Sequence, residues 1–156
     1  MNTIPPKLTT ALACRVARLD RDRFNEAVAS GVFTCAPETI AGRARVFDPD
    51  DMVALFLYRE LIEDGYSKTR AGKVACAVGQ AARKYPDAKA ISYVEDYFKG
   101  FGQAFPADRI PSFEEWDSTT FSGTDIRKVT TFRIGKMRDI IARDTAEETS
   151  IFGPED

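Results

Sequence analysis

The sequence predicts a mainly α-helical fold with a small β-hairpin wing, followed by a small α/β appendage at the C-terminal end. Three observations predict it. Apolar residues recur at helical spacing through most of the first 86 residues. That pattern is interrupted once, at residues 32–47, by a stretch with Pro37, Gly42 and β-favouring residues at both ends. Beyond residue 86 the helical stripe gives way to short strand-like runs separated by Gly and Pro. With 156 residues, 44% of them hydrophobic, the chain can bury a sizeable core.

The first helix is expected from a cap at Thr9 or Thr10 through Leu19, with Leu12, Val16 and Leu19 on its buried face and Arg15 and Arg18 elsewhere. A second, over residues 21–30, buries Phe24, Ala27 and Val28 and stops at Gly31. Arg21, Arg23 and Asn25 are its exposed early residues. Two short helices with basic and amide side chains on the first turns of the second form the layout of a helix-turn-helix, whose second helix enters the major groove. Arg pairs with guanine there and Asn with adenine. Many helical hairpins with exposed arginines share the layout, so the next stretch matters. Residues 32–47 read as a hairpin with its tip near residues 38–42 and its return strand over residues 43–47. Such a wing carries Arg43 and Arg45 alongside the helices, within reach of phosphates or the minor groove.

Asp48-Pro49-Asp50-Asp51 is an explicit helix start: a capping carboxylate, a proline that has no N–H to leave unpaired, and two acids at the positive end of the dipole. Met52, Leu55, Phe56 and Ile62 then share a stripe, and Gly65 stops the helix. Ser67 caps a fourth helix through about Lys84 with a stripe of small residues, Ala71, Val74, Ala75, Val78, Ala81 and Ala82. That stripe packs either on the preceding helix or on a second copy. Residues 91–98 suit a strand or a helical turn equally. Residues 100–116 read as an irregular stretch rich in aromatics, 129–134 as a strand and 135–148 as a helix, with a frayed tail from Thr149. The aromatics between Tyr93 and Phe121 are read as core.

Charge divides the chain. Residues 1–86 hold 13 Lys and Arg against 10 Asp and Glu, and residues 87–156 hold 9 against 14, so a polyanion partner belongs to the front part. Histidine is absent, which excludes Ser-His and Cys-His nucleophilic sites and histidine metal ligands. No phosphate loop or dinucleotide fingerprint is present. The acidic pairs at residues 50–51, 63–64 and 114–115 are read as capping or solvated groups, so no catalytic residues, metal or cofactor are expected. Cys14, Cys35 and Cys76 show no close spacing and are read as three thiols in a reducing compartment. No membrane span or signal peptide is expected, and the reading is cytoplasmic.

Four stretches resemble the MerR family of winged helix-turn-helix DNA-binding proteins: Arg15-Val16-Ala17-Arg18-Leu19, Gly31-Val32-Phe33, the joint Arg45-Val46-Phe47-Asp48-Pro49-Asp50-Asp51-Met52, and residues 56–67 ending in Asp64-Gly65-Tyr66-Ser67. The resemblance covers about residues 9–80. It implies a winged helix-turn-helix over residues 1–86 and a dimerisation or effector segment over residues 87–156. Arg45 matches the wing arginine of the family. The arginine and tyrosines frequent in the recognition helix of the family are replaced by Asn25, Glu26 and Ala27.

The expectation is a bacterial or phage-type transcription regulator that binds double-stranded DNA as a homodimer through Arg15, Arg18, Arg21, Arg23, Asn25, Arg43 and Arg45. Its dimer contact is placed in the C-terminal half, which is also a candidate surface for a protein partner. The alternatives are an excisionase-like architectural DNA binder and an interaction adaptor that keeps the fold without binding DNA.

Overall fold

The computed structural model describes residues 7–39, 42–97 and 102–152. In chain order the elements are β1 (Leu8–Thr9), α1 (Thr10–Ala17), α2 (Arg21–Ala29), β2 (Val46–Phe47), α3 (Pro49–Glu63), α4 (Lys68–Lys84), β3 (Ile91–Asp96), β4 (Gly102–Pro106), β5 (Ile126–Phe132) and α5 (Ile134–Phe152). Single 3₁₀ turns occupy Ala107–Arg109 and Phe113–Glu115. The molecule is mostly helical, with two small antiparallel sheets.

The first helix is shorter than its apolar spacing predicts. Thr9 caps it by accepting from the Leu12 N–H, and it ends at Ala17 because Arg18 turns left-handed (φ 58°). The Arg18 and Leu19 amides then close on the carbonyls of Arg15 and Cys14, an ending more often built on Gly. Asp20 starts α2 at once, its carboxylate accepting from the Asp22 and Arg23 amides at 2.8 and 3.3 Å.

The hairpin expected over residues 32–47 does not pair with itself among the described residues. Val46 and Phe47 pair instead with Thr9 and Leu8, just ahead of α1. Local composition supplied a return strand but not its partner. Pro37 has no ladder donor, and Phe33 leaves the surface for the core, where it meets Phe24 and Tyr58 edge-on at 6.0 and 5.4 Å. Residues 40 and 41, in the expected tip, lie outside the described residues.

The start of α3 follows the sequence closely. Asp48 and Asp51 form a reciprocal capping box, and Arg83 of α4 reaches across to both at 2.9–3.0 Å. Burial pushes the Asp48 carboxyl up, but the Arg83 hydrogen bonds and the Asp51 amide outweigh it and hold Asp48 below its ordinary value. Burial raises Asp51, which also faces the Asp48 charge. The small-residue stripe of α4 packs in cis on α3: a Cβ on Gly79 would lie 2.7 Å from the Ala54 Cβ.

Beyond residue 86 the ambiguous segment is a strand. β3 is central in the order β4-β3-β5, with Val94 opposite Gln103 and Val129. It is buried at every position except Glu95, so neither an alternating nor a helical period shows. Residues 102–106, expected to be irregular, form β4, where Gly102 leaves room for the Tyr93 ring. The final strand begins earlier than expected, at Ile126, and the final helix continues to Phe152.

One hydrophobic cluster takes Leu12, Phe47, Leu55 and Val78 from before residue 86 and Ile91, Tyr93, Ile134 and Ile141 from after it. Arg138 of α5 fastens the junction by donating to the carbonyls of Ala82, Pro86 and Ala88 at 2.8–3.0 Å. Of the aromatics expected in the core, Tyr93 is buried, but Phe113 is 73% and Tyr97 64% exposed.

Candidate nucleic-acid interface

The candidate interface is centred on α2. Its seat is Phe24, fully buried and edge-on to Phe33 and Phe47 at ring separations of 6.0 and 5.6 Å. Ala27 is buried beside it, and its carbonyl accepts from the amides of both Val32 and Phe33 at 3.1 Å. Arg21, Asp22, Arg23, Asn25 and Glu26 are all exposed.

Helix geometry divides them. At about 100° per residue, Arg21 and Asn25 lie about 40° apart on one flank, whereas Arg23 is about 160° from either. Arg23 accordingly lines a groove of about 290 Å³ with Leu19, Glu26, Tyr58, Ile62 and Lys68, on the side facing the end of α3. The structure thus groups Arg21 with Asn25 and separates both from Arg23. Asp20, Asp22 and Glu26 alternate with the two arginines, so α2 does not present a uniform cationic face.

Arg15, in the last turn of α1, and Arg18, in the left-handed turn before α2, are both exposed. The two residues of the expected wing differ. Arg43 is exposed, while Arg45 is half-buried and donates from its Nη1 to the Pro37 carbonyl. Arg45 thereby holds two parts of the connecting segment together.

Two features of this region escaped sequence reasoning. Cys35 and Cys76, read as separate thiols, are joined in a disulfide with Cα atoms 5.5 Å apart at a sequence separation of 41. Only the tertiary path from α2 back over α4 brings them together, and no spacing rule could show it. Cys14 alone is free among the described cysteines, and burial pushes its thiol up to about 11, with Arg21 lowering it and Asp20 raising it. The second feature is the contact of α4 with the chain leaving α2: a Cβ on Gly72 would lie 1.7 Å from the Val32 carbonyl oxygen. A glycine inside a helical pattern was the available signal.

Among the described residues no group of three or more His, Cys, Asp or Glu is placed to hold a metal, and no helix is long and apolar enough to cross a membrane. No family model matches the chain, and neither does any curated protein sequence.

Proposed function

We propose that this protein is a sequence-specific, double-stranded DNA-binding transcription regulator of the MerR-like winged helix-turn-helix type, cytoplasmic and without catalytic activity, that acts as a homodimer. The observation that carries the reading is the mounting of α2. Phe24 fixes the helix on the core, and Arg21 and Asn25 stand on one exposed flank with Arg18 just before them. A guanidinium and a carboxamide on adjacent turns suit neighbouring base edges in the major groove. Arg15, Arg18 and Arg43 supply charge for phosphates. The acids between them weaken non-specific attraction and leave discrimination to the base contacts.

One such unit makes few phosphate contacts, so a second copy on a two-fold site gains affinity by simultaneous engagement. Ile134 and Ile141 are taken up by the core of their own chain. The exposed Phe113, edge-on to Trp116 at 5.1 Å, is among the exposed apolar residues that the C-terminal half offers for the dimer contact, with Tyr97 and Ile151.

Selection from a random-sequence duplex pool tests the reading. The expected product is an inverted repeat of two short half-sites. Enrichment of direct repeats with bending of the duplex supports the architectural binder instead. Failure to enrich any sequence contradicts DNA recognition and favours the adaptor.

A further inference from the structure

Among the described residues, the chain that links α2 to β2 is fastened to the body of the protein at few points. Val32 and Phe33 are held by the Ala27 carbonyl and by the buried Phe33 ring, and the next regular pairing begins at Val46. Between these points, residues 34–39 and 42–45 contain no helix or strand. The bond from Arg45 to the Pro37 carbonyl begins and ends inside this segment, so it does not attach the segment to the helices. The Cys35–Cys76 disulfide does, with Ala36 packed on the core beside it. Among the described residues the disulfide is therefore the covalent fastening of an otherwise lightly held segment, and Arg43, assigned to phosphate contact, lies on that same segment.

We propose that Cys35–Cys76 is a reversible redox switch, closed by a peroxide and opened by a dithiol, and that the closed form holds DNA more tightly. The proposal takes its output from the DNA-binding reading above. Proteins that work on a chromosome meet a thiol-reducing medium, where a closed cysteine pair is transient and regulatory rather than permanent. The two sulfurs are unequal: Cys76 lies in the middle of α4 and is 5% exposed, whereas Cys35 is half-buried on the linking segment. A reductant thiolate attacks the Cys35 sulfur. The sulfur–sulfur bond breaks, Cys76 leaves as a thiolate that takes a proton from solvent, and a mixed disulfide remains on Cys35. The second thiol of the reductant displaces Cys35 and leaves as its own cyclic disulfide, so two electrons enter the protein. In the reverse direction, peroxide oxidises one thiolate to a sulfenic acid with loss of hydroxide. Condensation with the other thiol restores the disulfide and releases water.

Opening removes the fastening but not the seat of α2, because Phe24, Phe33 and Phe47 do not depend on it. The expected result is a folded protein with a looser segment at Arg43 and Arg45. The test uses the full chain, oxidised or reduced with dithiothreitol, in an anisotropy titration at one fixed salt concentration against the fluorescein-labelled duplex pool that the selection above yields. Trypsin cleavage after Arg43 and Arg45 is followed in parallel. The proposal expects reduction to weaken binding at least about fivefold, to speed cleavage at both arginines, and to be reversed by peroxide once the dithiothreitol is removed. The Cys35→Ser/Cys76→Ser variant should match the reduced protein under both conditions. Equal binding by oxidised and reduced protein overturns the switch and leaves DNA recognition standing. If neither form binds, the DNA reading fails, and cleavage decides the switch: equal rates in the two forms overturn it too.

Discussion

Between α3 and α4 the backbones lie so close that a Cβ on Gly79 would press on Ala54 at 2.7 Å, whereas a Cβ on Gly42, in the segment linking α2 to β2, would meet nothing within 4 Å. The helix pair is dense on both sides of its contact, with Val53, Leu55, Leu57, Val78 and Ala82 all buried. The linking segment has exposed Thr34, Glu38, Arg43 and Ala44, and among the described residues it is held by the Cys35–Cys76 disulfide with Ala36 packed beside it. A close-packed interior responds to the loss of single methylenes, while an exposed segment responds to the loss of its fastenings. Of the residues proposed to contact DNA, Arg43 lies on the lightly held segment, whereas Arg21 and Asn25 stand on α2, which Phe24 seats in the core.

The largest expected effect is at the boundary between the two. Phe47 is fully buried against Phe24, so Phe47→Ala should cost about 3–5 kcal/mol of stability. Arg43→Ala, in open surroundings a few residues earlier, should stay within about 0.5 kcal/mol. Urea midpoints of the two variants measure the contrast. Comparable losses from both would mean that the segment is packed as the core is.

The part of the molecule that sequence makes legible is the part governed by near neighbours. The cap at Asp48 and the left-handed stop at Gly65 (φ 97°) depend on residues within one helical turn, and both stand as the sequence predicts, with Asp51 completing a reciprocal capping box. The early end of α1 does not, because a left-handed arginine at position 18 has no local signature. β2 has the composition of a strand, but its partner is Leu8–Thr9, at the far end of the helix pair in sequence. For β3, burial of almost every residue between β4 and β5 erases the periodicity that separates strand from helix. The candidate site was legible as a set of residue types on α2. The division of that set into an Arg21 and Asn25 flank and an Arg23 flank required the helix to be placed on its seat.

A smaller effect sharpens the comparison through Cys14, buried on the packed side, whose thiol is pushed up to about 11 by burial. The native state therefore holds this proton more tightly than the unfolded chain, for which the ordinary value is 9.0. Stability is fully present below about pH 9 and falls as pH rises through the interval up to about 11. At pH 10 the loss should be about 1 kcal/mol relative to pH 8. Cys14→Ala should lose less by that amount, as read from denaturation midpoints at the two pH values with the disulfide intact, the remainder coming from groups such as Tyr58 and Tyr93, whose phenols burial also pushes up. Parallel pH profiles for the two proteins would show that the thiol is open to solvent.

The central claim is that the Arg21 and Asn25 flank of α2 reads duplex DNA. Its most direct test is the affinity of Arg21→Ala/Asn25→Ala for the duplex enriched from a random pool, measured beside the parent protein at matched salt and redox state. The account predicts a loss of at least about 1–3 kcal/mol, or roughly fivefold or more, with the melting temperature unchanged because both side chains are exposed. Parental affinity in the double variant would contradict it.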